Sequence, residues 1–85
     1  MHLVEDEGEE KASVTVYPNP ATESTTIMVE HSPQRTHVLR VLNMVGVEME
    51  RRTFEGSETR IDLGMWEKGT YVVSVDGMIV RIVKN

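Results

Sequence analysis

The sequence predicts an all-β domain, a seven-stranded antiparallel immunoglobulin-like β-sandwich, on three observations. Val, Ile and Thr together number 25, against six for Ala and Leu. β-Branched side chains lose χ1 freedom in helices and pack well on pleated surfaces. Seven short alternating runs follow one another at roughly 8–12-residue spacing, each closed by turn residues, as in antiparallel sandwiches. The 85 residues are enough for one small core and contain no cysteine, so the sheets must be held together without a disulfide.

Each element follows from its local pattern. Ser13-Val14-Thr15-Val16-Tyr17 alternates and predicts a first strand. It stops at Pro18-Asn19-Pro20, whose prolines have no N–H to donate to a ladder. A second strand is expected over residues 25–31, with Ile27 and Val29 on one face, and Ser32-Pro33 ends it. The third, over residues 37–43, puts Leu39 and Val41 on one face and Arg40 on the other. Met44-Val45-Gly46 turns into a fourth over residues 47–54, where Val47 and Met49 alternate with Glu48 and Glu50. After the turn Glu55-Gly56-Ser57 comes a short fifth strand over residues 59–63, and residues 64–69 form a crossing loop. The sixth, over residues 70–75, lines up Tyr71, Val73 and Val75. Asp76-Gly77 suits a two-residue hairpin turn that needs φ > 0, and the seventh strand occupies residues 78–84. The pattern Ile61-Asp62-Leu63 … Gly69-Thr70-Tyr71 also predicts a tyrosine corner, with the phenol bonded back to upstream backbone.

Charge is unevenly spread. The net charge is −5, yet residues 1–12 carry −4 of it through Glu5, Asp6, Glu7, Glu9 and Glu10 against Lys11. This segment reads as an acidic flexible linker, and residues 13–85 as the domain. A body of charge −1 exerts no general attraction on nucleic acid or on an anionic membrane. No apolar run approaches the ~20 residues of a membrane helix.

The residue constellations of catalysis are not apparent. The serines lie in no nucleophile elbow. Asp62 and Asp76 read as corner and turn residues rather than as an acid/base pair, and the glycines punctuate turns rather than cradle a phosphate. His2 falls in the linker. His31 and His37 flank a proline turn and supply one ligand pair at best, too few for a metal site. The acidic run does not follow calcium-loop spacing. No catalytic residue, metal or cofactor is therefore assigned. Trp66 is expected to plug one end of the sandwich, the alternative being an exposed platform for a sugar ring. Arg35, Arg40, Arg51, Arg52 and Arg60 cluster along the third to fifth strands, a solvated face offset by Glu48, Glu50 and Glu58.

Several segments together resemble one family. Val16-Tyr17-Pro18-Asn19-Pro20-Ala21-Thr22, Thr26-Ile27 and Val41-Leu42-Asn43-Met44-Val45-Gly46 are similar to the first half of the C-terminal sorting domain of the type IX (Por) secretion system of Bacteroidetes. Ile61-Asp62-Leu63 … Trp66 … Gly69-Thr70-Tyr71-Val72-Val73-Ser74-Val75 and Arg81-Ile82-Val83-Lys84 are similar to its second half. The chain departs from the family pattern at Leu42-Asn43, where an aromatic residue and Asp are usual, and at Val47, Trp66 and Arg81. The resemblance implies a non-enzymatic export signal carried as a folded domain behind an N-terminal cargo. It implies passage through the periplasm to the cell surface, a shuttle β-barrel, a translocon and a sortase as partners, and no nucleic acid. Motif residues Pro18, Asn19, Pro20, Gly46, Gly69, Tyr71, Arg81, Val83 and Lys84 become the candidate signal, and Glu10, Lys11, Ala12 and Ser13 the candidate cleavage region.

Physics adds an expectation of its own. The seventh strand is expected at a sheet edge, open to strand addition by a partner or to self-association, with Arg81 and Lys84 pointing away from the apolar residues. The competing reading is an adhesion or carbohydrate-binding module, which needs Trp66 or Tyr17 exposed on a flat or grooved face.

Overall fold

A computed structural model describes residues 11–85. Residues 1–10 of the acidic linker, among them His2 and Glu10 of the cleavage region, lie outside the described residues. Seven strands form: β1 (Ser13–Tyr17), β2 (Ser24–Glu30), β3 (Thr36–Asn43), β4 (Glu48–Glu55), β5 (Glu58–Asp62), β6 (Gly69–Val75) and β7 (Met78–Lys84). They build two antiparallel sheets, one ordered β1-β2-β5 and the other β4-β3-β6-β7. β4 pairs with β3 instead of with β5, so the fourth strand lies in the opposite sheet from its place in a constant-type immunoglobulin domain.

The inward faces come from the alternation expected of half-buried strands. Ile27 and Val29 of β2, Leu39 and Val41 of β3, Ile61 of β5, Tyr71, Val73 and Val75 of β6 and Ile82 of β7 are all buried. At the β4–β5 side, Arg52 joins the sheets. Its Nε donates to Glu50 (3.1 Å) and its Nη1 to Thr59 Oγ1 (3.1 Å) and to the Arg60 carbonyl (3.2 Å).

Two sequence expectations need correction. Val47 is not a strand residue facing the core but a turn residue, 54% exposed. A bulge opposite Val41 and Leu42 sets Met49 between Glu48 and Glu50. An added residue breaks strict alternation, so Glu50 turns toward the inner rim and Arg52. Lys84, in turn, does not point outward. Period-two alternation places it on the inward face of β7 with Ile82, where it is 8% exposed and its ammonium donates to the Asn85 carbonyl (3.2 Å). Arg81 points outward as expected.

The far end, where β6 turns into β7, holds a polar lock. Asp76 and Gly77 both have positive φ (51° and 88°), as this tight turn demands. Asp76 Oδ1 accepts the Val38 N–H (2.9 Å) and Oδ2 lies 2.6 Å from Nδ1 of His37, itself 1% exposed and packed on Phe54. His37 is thus a core residue. His31 follows β2 at φ 62°, and among the described residues no three metal-ligating side chains gather. Burial pushes the Asp76 carboxyl up, but the hydrogen bonds from His37 and Val38 outweigh it and hold it below the ordinary carboxylate value. A depressed carboxyl contributes stability above its unfolded pKa of about 3.9 and loses it as pH falls through the folded value. Asp76→Asn is therefore expected to destabilise the domain by about 1–3 kcal/mol at pH 7. The gap to wild type should narrow below about pH 4. Urea melts of both proteins at pH 7 and pH 3 measure it.

Candidate functional site

The nine candidate signal residues come from four segments spread over 67 positions of sequence, and the register brings the segments together at one end of the sandwich. Asn43 lies opposite Tyr71, and Tyr71 opposite Ile82. Gly69 lies opposite Lys84, and Ala21 forms a parallel bridge with Lys84. Residues 18–21, the β3–β4 turn, the start of β6 and the end of β7 thus share this end.

Each segment is held by its own chemistry. In the β3–β4 turn, Asn43 Oδ1 accepts the N–H groups of Val45 (3.0 Å) and Val47 (2.9 Å), and its backbone accepts from Gly46 (3.0 Å). Gly46 sits at φ 94°, which a residue with a Cβ reaches only with strain. The carboxamide oxygen does here what a carboxylate oxygen at this position would do, so the departure from Asp costs the turn no acceptor. At the corner, Tyr71 is 5% exposed and its OH donates to the Glu67 carbonyl at 2.6 Å. Trp66 packs its ring 5.0 Å from Tyr71 against the core, as a plug at this end and not as a free platform. Tyr71→Phe removes that phenol and leaves the Glu67 carbonyl without its partner. A loss of about 1 kcal/mol is expected, read as a lower urea midpoint at unchanged m.

The third piece could not be read from the sequence. Residues 18–21 fold along the outer edge of β7. Asn19 Oδ1 accepts the Val83 N–H (3.0 Å) while Asn19 Nδ2 donates to the Arg81 carbonyl (3.0 Å). Two residues on, the Ala21 N–H donates to the Val83 carbonyl (2.8 Å) and the Ala21 carbonyl accepts the Asn85 N–H (2.8 Å). Both flanking peptide bonds, Tyr17–Pro18 and Asn19–Pro20, are cis. The Pro18 carbonyl accepts the hydroxyl of buried Thr25 (3.1 Å), which pins the segment to β2. Ala21 is fully buried. The edge position of β7 is as expected, but its C-terminal half is capped.

The same end exposes Tyr17, Met44, Val45, Val47 and Met65. A shallow, open depression of ≈ 240 Å³ lies between the β3–β4 turn and the loop before β6, lined by Asn43, Met44, Val45, Lys68 and Tyr71 among others. On the outer face of the four-stranded sheet, Arg40 and Arg51 face each other across β3 and β4 and share Glu48. The hydrogen bonds from Arg51 and Arg40 hold the Glu48 carboxyl down to about 2.

Fold and site together define a small β-sandwich module whose distinguishing feature is a closed end assembled from sequence-distant motifs. The model of the secretion system C-terminal sorting domain family matches residues 15–85, and the chain belongs to that family. No curated protein and no solved structure matches it. The domain is a C-terminal sorting signal of type IX secretion, which interacts with that machinery and sends its carrier to the cell surface or beyond. The family is one of sorting signals and not of enzymes.

Proposed function

We propose that the secretion machinery reads this domain in its folded state, at the end where residues 18–21, the Gly46 turn, Gly69 to Tyr71 and the end of β7 meet. The observation that carries the reading is that convergence: the motifs marking the family become neighbours only after folding. A machine that exports unrelated cargoes has to read something common to all of them, and a rigid end with exposed apolar side chains offers such a surface. In this reading the carrier passes through the periplasm, a shuttle β-barrel binds the closed end, and the translocon moves the carrier across the outer membrane. A surface sortase then cuts the domain away near residues 10–13.

The structure favours a cut on the N-terminal side of that region. Ser13 is already paired with Glu30 in the β1–β2 ladder, whereas Lys11 and Ala12 precede the first strand. Proteolysis needs backbone free of a ladder. The test is a fusion of residues 12–85 to a periplasmic reporter, expressed in a type IX-competent host and in a secretion-deficient strain. Surface delivery in the first strain alone is expected; periplasmic retention in both would overturn the proposal.

A further inference from the structure

The two-residue turn between β6 and β7 settles which backbone groups of β7 face outward. Val75 pairs with Met78, so Met78, Val80, Ile82 and Lys84 bond toward β6, and Ile79, Arg81, Val83 and Asn85 direct their N–H and C=O groups to the open side. Four of these outward groups are occupied by residues 18–21, and two of the four by a side chain. The Asn19 carboxamide takes the Arg81 carbonyl and the Val83 N–H at 3.0 Å each. These are the two groups that a single residue of an added parallel strand, opposite Ile82, would bond through its own N–H and C=O. Ala21 makes the same pattern in its parallel bridge to Lys84. Asn19 therefore stands in for a strand partner. The outward groups of Ile79 and the Arg81 N–H have no partner among the described residues.

We propose that the outer edge of β7 is a strand-addition site, guarded by Asn19 and Ala21, for an extended segment of the export machinery carrying an acidic residue between two apolar ones. The pattern follows from the side chains along the edge. Ile79 is 64% exposed and Val83 38%, and Arg81 stands between them. Among the described residues no carboxylate pairs with Arg81. Cross-strand neighbours on one face are two residues apart, so the complementary strand reads apolar–x–Asp/Glu–x–apolar. A second copy of this chain fits less well. In-register parallel pairing and antiparallel pairing centred on Arg81 both set two guanidinium groups beside each other, which is destabilising. Pairing centred on Ile79 overlaps only from Met78 to Val80, because β7 begins at Met78. Main-chain bonds supply affinity and the Arg81–carboxylate contact supplies selectivity, as in other strand additions.

The guard sets the order of events. An incoming strand reaches Val83 only after Asn19 lets go, so the free domain does not offer a long edge for aggregation. This inference rests on the reading that the closed end is the recognised surface. Its test, however, needs no export. The peptide Thr-Val-Thr-Glu-Thr-Val-Thr and its counterpart with Lys for Glu are titrated into the isotope-labelled 85-residue chain, wild type and Asn19→Ala, with amide shifts read by NMR. Asn19→Ala is expected to bind the Glu peptide about tenfold more tightly than wild type, the order expected when a capping pair of hydrogen bonds no longer has to be broken. Shifts should centre on the Ile79, Arg81 and Val83 amides, and the Lys peptide should bind more weakly. Asn19→Asp keeps the acceptor for Val83 and loses the donor to Arg81. It supplies the same comparison, with a smaller gain, should the alanine variant not fold. Equal affinity for guarded and unguarded chains, absence of binding, or shifts centred on another strand would each overturn the inference. Any of these would leave the export proposal standing, because that proposal falls only with the reporter fusion.

Discussion

Deleting residues 81–85 is expected to abolish surface delivery of a fused reporter. The truncation removes Ile82, fully buried in the core, and the outward groups that hold residues 18–21 in place. It also removes the strand partners of the first four residues of β6, from Gly69 to Val72. Losing the Ile82 side chain alone costs about 2–5 kcal/mol. A domain of this size has a margin at the low end of roughly 5–15 kcal/mol. The closed end would come apart even if the rest of the sandwich survived. Surface labelling of the reporter gives the answer, with circular dichroism of the isolated variant showing how much fold remains. Normal surface delivery of the truncated fusion would rule out the terminal strand as part of the signal.

Leu39→Ala is the complementary case, because Leu39 lies away from the closed end, paired with Arg52 on one side and Val75 on the other. It is fully buried, and the substitution leaves every candidate signal residue unchanged. A loss of about 2–5 kcal/mol is expected, enough to bring so small a domain close to its unfolding midpoint at growth temperature. If recognition requires the folded end, surface delivery falls with the folded fraction and recovers when the host is grown cooler. Full delivery of a variant shown to be unfolded would mean that the machinery reads the linear motifs.

Much of the fold was legible in the chain. Alternation located all seven strands to within one or two residues, and the turn residues separated them, because a strand with one buried face must alternate and a tight turn must tolerate unusual φ. Asp76-Gly77 and the Tyr71 corner were legible for the same local reason. Val47 was misread because the turn held by Asn43 runs one residue past Gly46, and the bulge at Met49, one extra residue with no composition of its own, let the alternation be carried on through it. Lys84 was misread because charge argued for solvent while its position in β7 argued for the interior. Position prevailed, since the residues before it set the strand's phase and the aliphatic stem packs like an apolar side chain. The cap on β7 had no local signal at all. Asn19 reads as a turn residue between two prolines, and its partners lie 62 and 64 positions away.

By itself the sequence determined the strand count, the two-faced character of each strand and the separation of an acidic leader from a near-neutral body. These properties are local and periodic, and a single chain displays them without reference to any other segment. Family membership was also within its reach, since motif identity and order survive in one dimension. Only the tertiary structure decided which motifs are neighbours and what covers the edge of β7. Those outcomes depend on how two sheets register against each other. One carboxamide and one alanine backbone closing the exposed half of β7 are a property of that registration and not of any segment read alone.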